Sequence, residues 1–457
     1  MSDRDYNGVL NALVAGRWES PGDGRPIGIP IENIVTRQTL EGRDAELIGA
    51  LHGGKSVVVV SDPITHDILG RRIFSALSGG GAGLGKVTEF VWDEPRSSLE
   101  GVEFLRQKLA PAEVVIAVGS GTVNDSVKYA TYLDGKAFSS FPTSPQTAYT
   151  TGTASISSGG VKKSLTAHFP KGVFIDLGVL AASPPRLIRS AFADVICRTT
   201  AQVDWLMSHM LFGTPYTPLP YALLAIDEAD LIADAQNLLS GDMDSFGRLV
   251  RVCSLMGLGS VFVGSSHSGS MAEHSMSHYI DMFCGKAHPG TLHGEQVGVT
   301  TLICSALQNL ILARDTPPVM APTVIDEPAM VERYGAAMAP ALIAQTRDKA
   351  IDKAGAARIN EMWAKDWRGF AEPLRKVLLP YETLWDAMTQ IGAARTGEEL
   401  GLSPSFTREM VLHASDVRNR FTMLDVAGHS GLLEPFAQDI YMTERSRAET
   451  RRVEQQQ

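Results

Sequence analysis

The chain has 457 residues, 44% hydrophobic and 20% charged, with a formal net charge of −10, which is length enough for two or three domains with sizeable cores. No basic block precedes the RSRAETRR tail, which argues against a nucleic-acid surface, and no apolar run approaches the length of a membrane span. The polar N-terminus MSDRDYNGVL lacks signal-peptide order, and Cys197, Cys253, Cys284 and Cys304 form no CxxC pair, so the expected setting is the reducing cytoplasm.

In chain order, KSVVVVSD (55–62) reads as a buried strand followed by a helix over Thr65 to Ser78. KVTEFVW is a second strand, leading into a helical SSLEGVEFLRQKLA, and EVVIAVG is a third. AFSSFPT and GVFIDL read as two more. Short aliphatic strands alternating with helices imply βαβ units and a parallel sheet. After Pro184 long amphipathic stretches take over, such as RLIRSAFADVICRTTAQVDWLMSHM and VGVTTLICSALQNLILARD. The reading is an α/β domain over 1–181 followed by an all-helical domain over 182–457.

Two stretches carry chemistry. In VGSGTVNDSVKYA a strand breaks at Gly119-Ser120-Gly121 and a helix opens through Thr122 and Asp125. Glycines there let a phosphate approach backbone N–H groups at a helix start. An ordinary tight turn with Asp125 favoured by the helix dipole fits equally well. Asp62, at the end of VVVVS, stands where a carboxylate could accept ribose hydroxyls, or serve a plain turn. In the second stretch, His274 and His278 are four apart and share a helix face, and His293 opens another helix. With Asp194 upstream, two histidines would make a divalent-metal set, although an HxxxH pair also suits simple packing.

These stretches, together with GVKKSLTAHFPKGVFIDLGVLAASPPRLI, LHGEQVGV and VRNRFTMLDVAGHSGLL, occur in an order that resembles the sn-glycerol-1-phosphate dehydrogenase family, especially its bacterial AraM-type branch. That branch lies within the larger group of iron-containing alcohol dehydrogenases, glycerol dehydrogenases and dehydroquinate synthases. The resemblance spans about Val57 to Leu433. It implies a dinucleotide-binding α/β domain, a helical C-terminal domain and an active site in the cleft. It also implies a divalent metal on Asp194, His274 and His293, zinc first with nickel and iron as alternatives, and His278 near the nicotinamide. Gly119, Ser120, Gly121, Thr122, Asp125 and Thr143 map to the NAD or NADP site, where Asp62 would favour NAD. The implied partner is a phosphorylated polyol or ketone, and the implied assembly is a homo-oligomer. Lys162 and Lys163, or Arg418 and Arg420, could clamp a phosphomonoester, although the lysines also suit a solvated loop and the arginines a helix brace.

One segment departs from the family. Where relatives carry Ser-x-Asp-Gly, this chain reads PTSPQTAYTTG, which puts Thr147 in place of the aspartate facing the substrate hydroxyls. No Asp or Glu occurs from Gly135 to Ile175, so the carboxylate is missing in any register. The expected activity is therefore metal-dependent, NAD(P)-linked interconversion of a glycerol 1-phosphate-like polyol phosphate and its ketone, with an altered pocket. The alternatives are a dehydroquinate-synthase-like lyase or cyclase and a non-catalytic relative.

Overall fold

A computed structural model describes residues 4–21, 24–159 and 161–454, with the side chains of Val161, Lys162 and 448–454 outside that description. Six parallel strands form one sheet: β1 (Asn33–Arg37), β2 (Val57–Ser61), β3 (Val87–Val91), β4 (Val114–Gly119), β5 (Ala137–Pro142) and β6 (Gly172–Asp176). Their spatial order is β1-β6-β5-β4-β2-β3. The five expected strands are all present. β1 is an addition, half-buried and alternating beside β6, and its polar alternate residues hide it from a search for aliphatic runs.

The central strands are buried on both faces. Val58, Val60, Val115 and Ala117 pack against Val102, Leu105, Leu109, Val123 and Val127 on one side. Val57, Val59, Ile116 and Val118 meet Ile48, Leu69, Ile73 and Leu77 on the other. Full burial of each such side chain contributes about 1.5–3 kcal/mol, so a continuous aliphatic strand is stable here only with helices on both faces. The chain reverses its winding direction between β2 and β4, and their carboxyl ends lie together at that switch point.

The expected helix after β2 is broken into Pro63–Thr65, a π-turn over His66–Gly70, and Arg71–Ser78. A hairpin, Thr153–Ser158 with Val161–Thr166, was not expected from its polar residues.

The structure divides into two compact units, and not by one cut after residue 181. The first holds Met1–Ala191 with Thr217–Ser266, the second Phe192–Tyr216 with His267–Gln457. Segment 217–266 belongs to the first unit because its long helix, Met243–Val263, lies against the turn after β5. A Cβ on Gly257 would stand 2.2 Å from the Thr147 carbonyl oxygen and 2.3 Å from Thr150 Oγ1. This helix is long and apolar enough to cross a membrane, but 67% of its apolar window is buried within the protein. The second unit contains only helices and turns among its described residues, around a core that includes Tyr279, Trp363, Trp367 and Phe370.

Candidate active site

In the first unit, β4 ends at Gly119 and the helix Gly121–Asp134 starts two residues later. No side chain caps that start, although Ser120 occupies the cap position. A Cβ on Gly119 would meet Val123 Cβ at 2.8 Å, and one on Gly121 would meet Gln146 Oε1 at 2.5 Å. Glycine is what allows the strand and helix to close so tightly, and it leaves first-turn N–H groups for an anion. Such a turn at the switch point of a doubly wound sheet suits a dinucleotide pyrophosphate. Thr143 is tied to the turn through its own N–H, which donates to the Gly119 carbonyl at 3.2 Å.

Two expected cofactor residues have local work as well. Asp62 caps the helix after β2, accepting the Thr65 N–H at 2.9 Å, while Thr65 Oγ1 donates to Val118 O at 3.2 Å. Asp125 is buried, accepts the Ser155 N–H at 3.0 Å, and lies 3.3 Å from Lys128 Nζ. The Lys128 side chain is fully buried, and its ammonium also reaches Ala148 O, Thr151 Oγ1 and Thr153 O at 2.6–3.0 Å. Thr147 is half-buried and leads into the turn Ala148–Thr150 that this lysine holds.

In the second unit, Asp194, His274 and His293 offer ligand atoms within 4.8 Å of one another. Asp194 comes from the last turn of Pro185–Val195, His274 from the first turn of Ala272–Phe283, and His293 opens His293–Leu312. Asp194 Oδ1 lies 3.8 Å from His274 Nε2 and 4.0 Å from His293 Nε2. Tetrahedral ligands about 2.1 Å from a zinc ion are about 3.4 Å apart, so small rotations would close the set.

The opposite ring nitrogens are already committed. His274 Nδ1 faces the fully buried Glu273 carboxylate at 3.0 Å. Burial alone would raise the Glu273 pKa, but the hydrogen bonds from His274 and the Met271 N–H hold it below its ordinary value. Ser277 Oγ donates to Gln296 Oε1 at 2.7 Å, so at 3.2 Å from His293 Nδ1 it accepts the ring proton. Both imidazoles therefore carry the proton on Nδ1 and turn an Nε2 lone pair toward Asp194, as metal-ligating histidines do. The Glu295 carboxylate accepts the Leu292 N–H at 2.7 Å and fixes the helix start bearing His293.

His278 sits one turn beyond His274, its ring 6.3 Å from that of His293. A second cluster, Cys197 with Glu273 and His274, is a poorer donor set. Burial and the charges of Glu273 and Asp194 push the Cys197 thiol well above its usual pKa, which keeps the proton on sulfur.

Arg418 and Arg420 converge beside this centre. Arg418 Nη1 donates to Ser270 Oγ at 2.6 Å, and Arg420 Nη1 donates to the Ser270 carbonyl. Burial lowers Arg418 to about 10, and burial and the charge of Arg418 also lower Arg420 well below its usual value. Both remain charged at neutral pH on the usual behaviour of guanidinium. Burial, then Arg420 and Arg418, push neighbouring His267 down to about 3, so it adds no charge. Lys163 is exposed on the hairpin strand Val161–Thr166, and the Lys162 side chain lies outside the described residues.

Sequence reasoning passed over Glu273, Ser277 and Gln296. The available signal was an acid directly beside a histidine in the stretch AEHSMSHYI.

Residues 35–184 match the family model described as iron-containing alcohol dehydrogenase. A protein of Geobacillus thermodenitrificans named glycerol-1-phosphate dehydrogenase [NAD(P)+] is 28% identical over 388 residues, covering 83% of this chain and 88% of that protein. One of the same name from Methanothermobacter thermautotrophicus is 33% identical over 247 residues, 54% of this chain and 69% of that one. The crystal structure of glycerol dehydrogenase from Schizosaccharomyces pombe shares the fold at a TM-score of 0.61 and 18% identity, over 93% of this chain and 94% of that one. Sequence relatives, the matched family model and the shared fold agree: the chain belongs to the glycerol-1-phosphate dehydrogenase family of oxidoreductases, within the iron-containing alcohol dehydrogenases.

Proposed function

We propose that this chain is a metal-dependent, NAD(P)-linked dehydrogenase interconverting a glycerol 1-phosphate-like polyol phosphate and its dihydroxyacetone phosphate-like ketone. The supporting observation is the Asp194, His274 and His293 cluster with both Nδ1 positions occupied by hydrogen bonds. A divalent ion there would supply a Lewis acid that eases loss of a hydroxyl proton in one direction and polarises a ketone in the other. One carboxylate and two imidazoles suit zinc first, with nickel and iron as alternatives.

The chain's own residues do the rest. Glu273 and Ser277 hold the ring protons on Nδ1, keeping both Nε2 atoms as electron-pair donors. The turn Gly119–Thr122 presents backbone N–H groups to the cofactor pyrophosphate, and Asp62 favours NAD because a carboxylate repels a 2′-phosphate. Arg418 and Arg420 take the substrate phosphate, since paired guanidinium groups match its geometry. Arginines already turned toward Ser270 beside the His274 helix favour this over the lysine pair. Thr147 supplies a neutral hydroxyl where relatives have a carboxylate. We further propose a cytoplasmic homo-oligomer, which light scattering on the purified protein tests for size.

The test strips the protein, reloads it with zinc, nickel or iron, and follows NADH or NADPH absorbance. Dihydroxyacetone phosphate, glycolaldehyde phosphate, dihydroxyacetone and longer keto-sugar phosphates are offered in turn. Metal-dependent oxidation of the nicotinamide with dihydroxyacetone phosphate is the expected result. Substrate turnover without net change in NADH would replace this reading with a lyase or cyclase. Cofactor binding without turnover on any substrate would replace it with a non-catalytic relative.

A further inference from the structure

The segment Ala414–Phe421 carries both arginines and connects the helices Pro404–His413 and Met423–His429. Among the groups that hold its conformation from outside is the side chain of Lys349, which follows the helix Glu327–Asp348. The lysine side chain is only 5% exposed, and its ammonium lies 2.6 Å from Asp425 Oδ1, itself on a side chain 6% exposed. The same nitrogen donates to the Ser415 carbonyl at 2.6 Å and reaches the Arg420 carbonyl at 3.5 Å. An ammonium group has three donors and no acceptor, and here all three face oxygen atoms around one loop. Two of those are main-chain carbonyls on either side of Arg418.

Asp425 completes the bracket. Its other oxygen accepts the Thr422 N–H at 2.8 Å and the Thr422 hydroxyl at 3.1 Å, capping the helix that follows the arginines. Tyr334, from the helix before Lys349, donates to Asp416 at 2.6 Å and adds a second tie to the same loop.

We propose that Lys349 is a positioning residue for phosphate recognition: by bridging Ser415, Arg420 and Asp425 it fixes the loop that aims Arg418 and Arg420 at the phosphate of the substrate. This rests on the assignment of those arginines as the phosphate ligands. Lys349 touches neither substrate nor metal in this scheme, and its effect passes through the loop alone. A buried ion pair with only a structural role would change stability when broken but would treat phosphorylated and unphosphorylated ketones alike.

The experiment compares kcat/KM for dihydroxyacetone phosphate and dihydroxyacetone in zinc-loaded wild type, Lys349→Met and Arg418→Gln. Misplacing a clamp by a fraction of an ångström to an ångström has large kinetic effects, so Lys349→Met should lower the ratio of the two values by about tenfold or more, chiefly through KM of the phosphate ester. Activity on dihydroxyacetone and zinc affinity should stay near wild type. If Arg418→Gln lowers the ratio and Lys349→Met does not, the positioning role of Lys349 is wrong and the arginine assignment stands. If Arg418→Gln leaves the ratio unchanged, the arginine assignment itself fails and takes this inference with it. Should the methionine variant not fold, Lys349→Gln is read in the same way, because it removes the charge while keeping a donor.

Discussion

Replacing Glu273 with glutamine tests the site at the point where tertiary structure adds most to sequence. The carboxylate is fully buried and holds the His274 Nδ1 proton at 3.0 Å. The amide is isosteric, keeps one acceptor oxygen, and can turn its NH₂ toward Thr200 Oγ1, which lies 3.3 Å from Glu273 Oε2. What is lost is the charge on the acceptor. Hydrogen bonds to charged groups contribute about 1.5–3 kcal/mol and neutral ones about 0.5–1.5, so the change costs about 1–1.5 kcal/mol in the orientation and basicity of His274. That converts to metal binding weakened about tenfold, within the range of about 10–100-fold seen for outer partners of metal-ligating histidines. Glu273→Ala removes the acceptor and should fall near the far end of that range. The assay is competition for zinc against a chromogenic chelator, with activity measured afterwards at saturating zinc. Thermal unfolding of the zinc-free protein should change little for the glutamine variant. Unchanged zinc affinity in both variants, or loss of activity that saturating zinc does not restore, would refute the orientation argument.

Thr147→Asp places a carboxylate where the resemblance to the family implies one, and should shift the ratio of kcat/KM values toward dihydroxyacetone phosphate over longer keto-sugar phosphates; an unchanged substrate profile would show that this position does not face the substrate. Gly121→Ala places a Cβ 2.5 Å from the end of the flexible Gln146 side chain, so the fold should survive while the NAD dissociation constant, read by fluorescence titration, rises. Gly257→Ala meets main chain instead, at 2.2 Å from Thr147 O, and should destabilise the protein by about 1–3 kcal/mol, measured by denaturant unfolding. Burial, with Lys128 and Lys171 nearby, pushes His168 from 6.5 to about 4. The unfolded chain then binds the extra proton first, so this residue's contribution to stability is full above pH 6.5 and is lost as pH falls toward about 4. Unfolding midpoints across that window should show a shallower acid slope in His168→Gln; an identical slope would discount this histidine.

Local chemistry explains which features were legible in the sequence. VVVVS and VVIAVG read as strands buried on both faces, and the glycines at the junction of β4 and its helix mark a close approach, since a Cβ on Gly119 would meet Val123 Cβ at 2.8 Å. The His274 and His278 spacing places both on one helix face, but spacing alone does not separate a ligand from its neighbour. His274 and His293 each spend Nδ1 on a hydrogen bond and meet at Asp194. Those partners, Glu273, Ser277 and Gln296, depend on how two helices pack and leave little trace in spacing.

The same distinction applies to Asp62 and Asp125. Both stand at strand ends or helix starts, as the sequence says, yet one caps a helix and the other locks a buried lysine. Sequence by itself determined the parallel sheet, the glycine turn, the histidine face and the absence of Asp and Glu between Gly135 and Ile175, because each is set by residue type at short range. Tertiary structure alone decided that 217–266 joins the first unit, that β1 completes the sheet, and that Lys349 brackets the arginine loop. Each of those rests on contacts between segments far apart in the chain, where complementarity of surfaces and not local pattern selects the partner.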